Sequence, residues 1–128
     1  MKQKKTTHTY DYDKEADVLY ISFLPGEKPT AAVELNPNIL LRFDRAHKRA
    51  IGLTLMDFSV LVQLTKLGPR NFPLTGLKDL EPEWQETVIE IITSTPVNQI
   101  LKVSSYAPSS AETMPITFVK KPPISIAV

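Results

Sequence analysis

The chain has 128 residues, of which 42% are hydrophobic, so it is long enough for one ordinary domain with a core and too short for two large ones. Its 15 Lys and Arg against 14 Asp and Glu give a formal charge of +1, which excludes attraction of nucleic acid, anionic lipid or an acidic partner by the charge of the whole molecule. The chain contains no cysteine, which excludes disulfides, thiolate metal sites and cysteine nucleophiles and fits a reducing compartment.

The basic N-terminal arm, residues 1–6, lacks the apolar segment of a signal peptide, and the longest apolar runs are far shorter than a membrane span. We therefore expect a cytoplasmic protein without a membrane partner. After the arm, the strand-forming runs Thr7–Asp13 and Val18–Leu24 flank a polar "KEA" and predict a β-hairpin. A third strand is predicted from Thr30 to Leu35, and the "NPN" that follows interrupts it because Pro37 cannot donate a ladder hydrogen bond.

The clearest predicted hairpin has alternating apolar residues on both sides of the charged turn "RAHKR": Ile39, Leu41, Phe43, Ile51, Leu53 and Leu55. Gly52, within its second strand, indicates a bulge or a close approach of another backbone or a ring. The period then becomes helical, because Ser59 is a favourable N-cap and a stripe of Val and Leu ends before Gly68. This pattern predicts a short helix over residues 59–67.

The second half begins with a segment rich in Pro and Gly, residues 69–80, which predicts an irregular linker. A second helix is predicted from about Glu81 to Ser94, with a proline tolerated in its first turn. Two strands are predicted after it, Gln99–Tyr106 and Ile116–Lys120, separated by the polar "APSSAETMP". The terminal "PPISIAV" is either an edge strand or a loose end.

Together these elements predict an α+β fold. A small antiparallel sheet of four or five strands with a short helix occupies residues 1–68, and a helix with a β-hairpin extension, residues 69–128, packs back on it. Several aromatic and apolar residues are expected in the core or at the docking site of the second helix: Tyr20, Phe23, Phe43, Phe58, Trp84 and Ile91. The run "VLYISFL" is apolar on both faces, so we expect the C-terminal half or a second copy of the chain to cover the face that the short helix leaves bare.

Four acids occupy every second position of the opening hairpin: Asp11, Asp13, Glu15 and Asp17. They match the first ligands of an EF-hand loop, but Ala16 stands where that loop needs glycine and Ser22 where it needs a bidentate acid. No metal site and no cofactor is therefore predicted here. Asp13 and Asp17 are expected instead to accept hydrogen bonds from the backbone of the tight turn and to fix its geometry.

The opening "YDYDKEADVLYI", the strand "LLRFD" and the close "AIGLTLMDFS" resemble a bacterial family called domain of unknown function 2283. The positions that match its Tyr-Asp-x-Glu-x-Asp-x-Leu-Tyr-Ile opening, its strand-end Asp and its Gly-to-Ser close are Tyr12, Asp13, Glu15, Asp17, Leu19, Tyr20, Ile21, Asp44, Gly52, Leu53, Leu55, Met56 and Ser59. Thr54 stands where the family tends to have Glu, which weakens the idea of a shared acidic cluster. The resemblance spans Tyr10 to Leu67 and implies a small antiparallel sheet with a helix, frequent self-association and no established activity.

Other catalytic patterns find little support in the sequence. The two histidines, His8 and His47, are not spaced as zinc ligands and are expected to be exposed. A triad of Ser59, His47 and Asp57 lacks the glycines of a nucleophile elbow, and the four scattered glycines form no phosphate cradle. No catalytic residue is therefore predicted.

Three functional hypotheses follow from these observations. The leading one is a non-catalytic protein-interaction or binding module, a homodimer that also serves as a small partner protein in a bacterial operon. One alternative is an enzyme with carboxylates around a divalent ion: Asp13, Asp17 and Asp44. Another, less favoured because the chain is nearly neutral, is a weak nucleic-acid binder that uses a basic patch: Lys4, Lys5, Arg45, Lys48 and Arg49.

Overall fold

The computed structural model describes residues 8–122; the N-terminal arm and the segment from residue 123 onward lie outside the described residues. Five strands form one antiparallel sheet in the order β1-β2-β5-β4-β3, with the bounds β1 Thr9–Asp13, β2 Val18–Ser22, β3 Ala31–Asn36, β4 Ile39–Asp44 and β5 Arg49–Met56. Short helices and further strands follow this sheet in the chain. The predicted α+β class, built on an antiparallel sheet, is confirmed, and the sheet has five strands.

Both predicted hairpins are present. In the first, Tyr12 lies opposite Leu19, and in the second, which turns at "RAHKR", Leu41 lies opposite Leu53. The "NPN" segment is the turn between β3 and β4, where Asn36 Oδ1 accepts a hydrogen bond from the backbone N–H of Asn38 at 2.8 Å. A proline fits this place because a turn residue has no ladder bond to donate.

One side of the sheet, here called the core face, carries the alternate apolar residues of the strands. Its central side chains have 0% exposure: Leu19, Ile21, Leu41, Phe43, Leu53 and Leu55. The C-terminal half covers them, because the helix α2, Pro82–Ile92, contributes Val88, Ile91 and Ile92 to the same hydrophobic cluster. The two halves of the chain therefore share one core, and burial at about 25 cal/mol per Å² of apolar surface holds them together.

The first helix is shorter than predicted. The helix α1 spans Phe58–Leu61, and its N-cap is Asp57, at φ 55°, so the prediction of a helix over residues 59–67 capped by Ser59 is wrong. The residues that follow form a pair of short strands, β6 Leu64–Thr65 and β7 Gly68–Pro69.

A turn closed by local hydrogen bonds replaces the predicted second half of this helix. Thr65 Oγ1 donates to the carbonyl of Gly68 at 2.7 Å and accepts from the N–H of Leu67 at 3.1 Å. Gly68 has φ 107°, a value that glycine adopts without strain. Leu67, which the stripe would place against the sheet, is 99% exposed, so no apolar contact holds a helix here.

The C-terminal half forms a second sheet, of order β8-β10-β9, beside α2: β8 Phe72–Pro73, β9 Leu101–Ser109 and β10 Glu112–Val119, with 3-10 turns at Leu77–Asp79 and Val97–Gln99. β9 extends beyond the predicted Tyr106 to Ser109, and β10 begins at Glu112 rather than at Ile116. The polar "APSSAETMP" pairs as a largely exposed ribbon, and its sequence did not predict strands because it has no apolar alternation. Among residues 8–122, no helix is long and apolar enough to cross a membrane.

The predicted linker joins the two sheets. The N–H of Leu74 donates to the carbonyl of Pro115 in β10 at 2.9 Å, and the N–H of Gly76 donates to the carbonyl of Leu35 in β3 at 2.8 Å. A Cβ at Gly76 would collide with the carbonyl oxygen of Glu34, so this close approach requires glycine. The linker thereby fixes the second sheet to the edge strand of the first.

Candidate functional site

Asp17 links the opening hairpin to α1. Its Oδ2 accepts a hydrogen bond from Ser59 Oγ at 2.6 Å, and its Oδ1 accepts from the N–H of Ser59 at 3.0 Å and from the hydroxyl of Tyr12 at 2.7 Å. The bond from the Ser59 hydroxyl is the main reason why the pKa of Asp17 is lowered, and the bond to Asp17 is the main reason why the pKa of Tyr12 is raised. Both oxygens are occupied by donors of this chain, which is the geometry of a structural clamp.

The structure gives Asp13 and Asp17 different roles. Asp13 Oδ1 accepts from the N–H of Ala16 at 3.1 Å, within the tight turn for which the sequence predicts this role. Asp17 departs from the same prediction, because its carboxylate binds α1 rather than the turn. The reason is its backbone: φ of 56° at Asp17 turns the chain at the point where β2 begins.

Asp44 is held in the turn between β4 and β5. Its Oδ2 lies 2.7 Å from Nδ1 of His47, and its Oδ1 accepts from the N–H of Ala46 at 3.1 Å. The hydrogen bond with His47 is the main cause of a lowered pKa of Asp44. This acid, like Asp13, is thus bound to its own turn.

The three predicted carboxylates are not brought together. Asp44 lies opposite Arg49 at the start of β5, whereas Asp17 directly precedes Val18, which lies opposite Met56 at the end of β5. The length of β5, at about 3.3 Å per residue, separates these positions by roughly 20 Å. Within residues 8–122, no three His, Asp or Glu side chains form a group that could hold a metal ion.

The basic turn between β4 and β5 is engaged with its own surroundings. Each of its three predicted contact residues has a partner: Arg45 lies 4.1 Å above the ring of Trp84, Lys48 Nζ lies 3.1 Å from Glu90 Oε2, and Arg49 Nη2 lies 2.8 Å from Glu27 Oε1. Lys4 and Lys5, the other members of the predicted patch, lie outside the described residues. Within the described part of the chain, these cations fasten the turn to α2 and to the loop between β2 and β3.

The other side of the five-stranded sheet, here called the open face, carries exposed or half-buried side chains: Asp11, Val18, Tyr20, Glu34, Leu40, Arg42 and Met56. Tyr20 is 43% exposed, so the prediction that it lies in the core is wrong. The physical reason is the strand period, since Tyr20 stands between two core-face residues of β2 and must point the other way.

Arg42 lies at the centre of the open face. Its Nη1 donates to Thr54 Oγ1 at 2.8 Å, and within the described residues it forms no ion pair. Gly52 is its neighbour on β5, and a Cβ there would lie 2.6 Å from Nη2 of Arg42 and 2.8 Å from the carbonyl oxygen of Ile21. Glycine therefore makes room for the guanidinium to lie over β5, which is the close approach that the sequence predicts at this position, made by a side chain.

Sequence reasoning did not identify Arg42 or the open face as a site. The signal lies in the register, which one sequence does not specify: Gly52 falls opposite Arg42 and Thr54 falls opposite Leu40 once β4 and β5 are paired. The open face carries an arginine and a tyrosine among half-buried apolar side chains. Arginine and tyrosine are among the residue types that contribute most to protein-protein binding. The open face can thus offer a donor-rich, aromatic contact surface.

Comparison with known proteins adds a family for the N-terminal portion. No curated protein and no solved structure matches the chain. One family model matches residues 9–59. This region contains the whole five-stranded sheet, the clamp between Asp17 and Ser59 and the open face, and it ends before the C-terminal half that covers the core face. Residues 9–59 match the family model described as "Protein of unknown function (DUF2283)", which confirms the resemblance seen in the N-terminal half of the sequence.

Proposed function

We propose that this chain is a non-catalytic protein-interaction module that self-associates through the open face. The observation that carries the proposal is Arg42, whose guanidinium lies over Gly52 in the middle of a half-buried surface and forms no ion pair within residues 8–122. A guanidinium has five N–H donors, and the hydrogen bond to Thr54 uses one of them.

The surroundings of Arg42 support a protein partner. Leu40 and Met56 are half-buried and Tyr20 is 43% exposed, so apolar and aromatic surface borders the guanidinium on the open face. Such a border removes water when a partner docks and strengthens the hydrogen bonds of the central arginine. A surface of this kind is typical of the centre of an interface.

Opposite charges on the same face favour a second copy as the partner. Asp11 lies on β1 and Glu34 on β3, so exposed carboxylates flank Arg42 from the two edge strands. A two-fold interface brings the same surface together twice and requires that the surface complement itself. A face with a central cation and acids at its edges meets that requirement.

The size of the open face sets the expected strength. Five strands about 4.8 Å apart, with about three rows of side chains, give roughly 450 Å² per copy. The total of roughly 900 Å² is below the ~1,200–2,000 Å² of a standard interface. We therefore expect a reversible dimer with a Kd of about 10–100 µM.

Sedimentation velocity between about 5 and 500 µM tests this proposal. We expect a concentration-dependent dimer, and we expect Tyr20→Ser and Arg42→Ala each to weaken it about tenfold or more, as loss of a central contact does. Tyr106→Ser is the matched control, because Tyr106 is 52% exposed but lies on β9, which belongs to the second sheet. A monomer at every concentration, or equal effects of the two tyrosine substitutions, contradicts the proposal.

A further inference from the structure

A cavity of about 320 Å³ lies in the C-terminal half, outside the region that matches the family model. It is formed where the linker, α2 and the beginning of β10 meet, and its lining residues belong to these three segments. Its volume is at the lower end of the range typical of small-molecule sites, about 300–1,000 Å³. The cavity shares no residue with the open face, so an inference about it is independent of self-association.

The walls of the cavity are mainly apolar. Leu77 forms a buried part of the wall, while Ile89 and Met114, which also line the cavity, are 42% and 37% exposed. Pro73 and Pro115 add rigid apolar surface. Large apolar side chains left in contact with water around a concavity favour an apolar occupant, because its binding removes that surface from water.

A small number of polar groups also reach the cavity. Lys78, Thr75 and Thr113 line it, and within residues 8–122 none of these three side chains has a hydrogen-bond or ion-pair partner. Gln85 is also part of the lining, and its Nε2 donates to the carbonyl of Leu80 at 3.1 Å, which fixes the amide in place. One cation and two hydroxyls next to apolar walls favour a ligand with one negative end and an apolar body.

We propose that this cavity binds a small carboxylic acid with an apolar chain, whose carboxylate pairs with Nζ of Lys78. At about 30 Å³ for each non-hydrogen atom, as for water, the volume holds about ten such atoms, which is the size of octanoate. The single ammonium matches a single negative charge, whereas a phosphate, with a charge of about −2, requires several donors such as an arginine fork or a backbone nest.

The position of Lys78 explains why it is available to a ligand. It also borders a second depression, which Glu34 and Asp79 line, but neither carboxylate forms an ion pair with it. A lysine side chain has four methylene groups that can follow an apolar wall and carry the ammonium to its rim. Lys78 can therefore meet a carboxylate at the mouth while the chain of the ligand lies against Leu77 and Ile89.

Titration of the full chain with octanoate, followed by NMR of the Ile and Met methyl groups and by calorimetry, tests the proposal. We expect the largest shifts at Ile89 and Met114 and a Kd of about 10 µM to 1 mM, as for a ligand of about ten atoms. Lys78→Met keeps the apolar stem and removes the charge, and we expect it to weaken binding about tenfold. Lys66→Met, in the exposed turn between β6 and β7, is the matched control and is expected to change nothing.

Three further titrations test the class of the ligand and the location of its binding site. Octanol and octyl phosphate are expected to bind at least about fivefold more weakly than octanoate, because one lacks the charge and the other exceeds it. Ile89→Glu places a negative charge at the cavity on an exposed helix position, and it is expected to abolish octanoate binding while the fold persists. No binding of octanoate at several millimolar, equal binding of octanol, or an unchanged affinity of Lys78→Met overturns the proposal.

Discussion

On the core face of the five-stranded sheet Leu41 and Leu53 are fully buried, whereas on the open face Leu40 and Arg42 are half-buried and Tyr20 is 43% exposed. The C-terminal half packs on the core face and supplies nine of the residues in its cluster: Leu74, Leu77, Val88, Ile91, Ile92, Val97, Ile100, Leu101 and Val119. On the open face, the buried Thr54 accepts a hydrogen bond from Arg42 of the same sheet. The two faces thus come from neighbouring residues of the same strands.

This difference shows how one segment can supply both a core and a contact surface. Residues 9–59, which match the family model, contain the whole sheet, while the residues that cover its core face lie from 74 to 119. The sheet alone would expose two faces, and exposed apolar surface of this extent normally acquires a cover. In this chain the C-terminal half covers one face, and the proposed self-association uses the other.

A matched pair of leucines on β4 gives the largest expected contrast between the faces. We expect Leu41→Ala to lower the free energy of unfolding by about 2–5 kcal/mol, because it opens a cavity in a fully buried core. Leu40→Ala, one residue away on the open face, is expected to lower it by less than about 1 kcal/mol, because this side chain is already half in water. Urea unfolding at low micromolar protein concentration measures both.

The two leucines share residue type and are adjacent on the same strand, so the face is the main difference between them. If Leu40→Ala costs as much as Leu41→Ala at low protein concentration, the open face is covered in the monomer and the comparison fails. If the cost of Leu40→Ala grows with protein concentration while that of Leu41→Ala stays constant, the comparison is sharpened, because only a dimer adds burial at Leu40.

Gly52→Ala tests the open face and is expected to have an intermediate effect on the unfolding free energy. The new methyl group would lie 2.6 Å from Nη2 of Arg42 and 2.8 Å from the carbonyl oxygen of Ile21, so we expect a loss of about 1–3 kcal/mol in unfolding free energy. The same substitution in an Arg42→Ala background separates the two clashes, since only the clash with the backbone remains. Equal costs in both backgrounds would show that Arg42 does not occupy the space over Gly52.

The fold was predictable where the apolar period was regular. The alternation around "RAHKR" predicts β4 and β5 and hence the core-face residues, because a half-buried strand leaves a period of two in the sequence. The end of α1 was not predictable, because the Val and Leu stripe up to Leu67 has a helical period although Leu67 is exposed in a turn that Thr65 and Gly68 close. Local hydrogen bonds of a threonine are invisible to a count of apolar residues.

The candidate site was predictable only in part. The pattern of acids identified Asp17 as a constrained residue, but its partner Ser59 lies far along the chain and reaches it only through the antiparallel order β2-β5. Arg42 was missed because a single arginine in a strand has no motif, and its position over Gly52 follows from cross-strand register, which one sequence does not specify. The cavity at Lys78 was missed for a similar reason, since the linker that forms it has no period at all.

The clamp between Asp17 and Ser59 is expected to have the smallest effect on the unfolding free energy, and this effect depends on pH. Asp17→Asn should lower the unfolding free energy by about 1 kcal/mol at pH 7, as loss of a charged cap does. Because the folded pKa of Asp17 is lowered, mainly by the bond from Ser59, its contribution is present above the ordinary Asp pKa of about 3.9 and is lost as pH falls through the folded pKa. The stability difference between the wild type and Asp17→Asn should therefore be constant from about pH 5 to 8 and shrink below about pH 4. Asp79→Asn, on an exposed turn, is the control, and a difference that persists undiminished at about pH 3 would show that the charge of Asp17 does not hold α1.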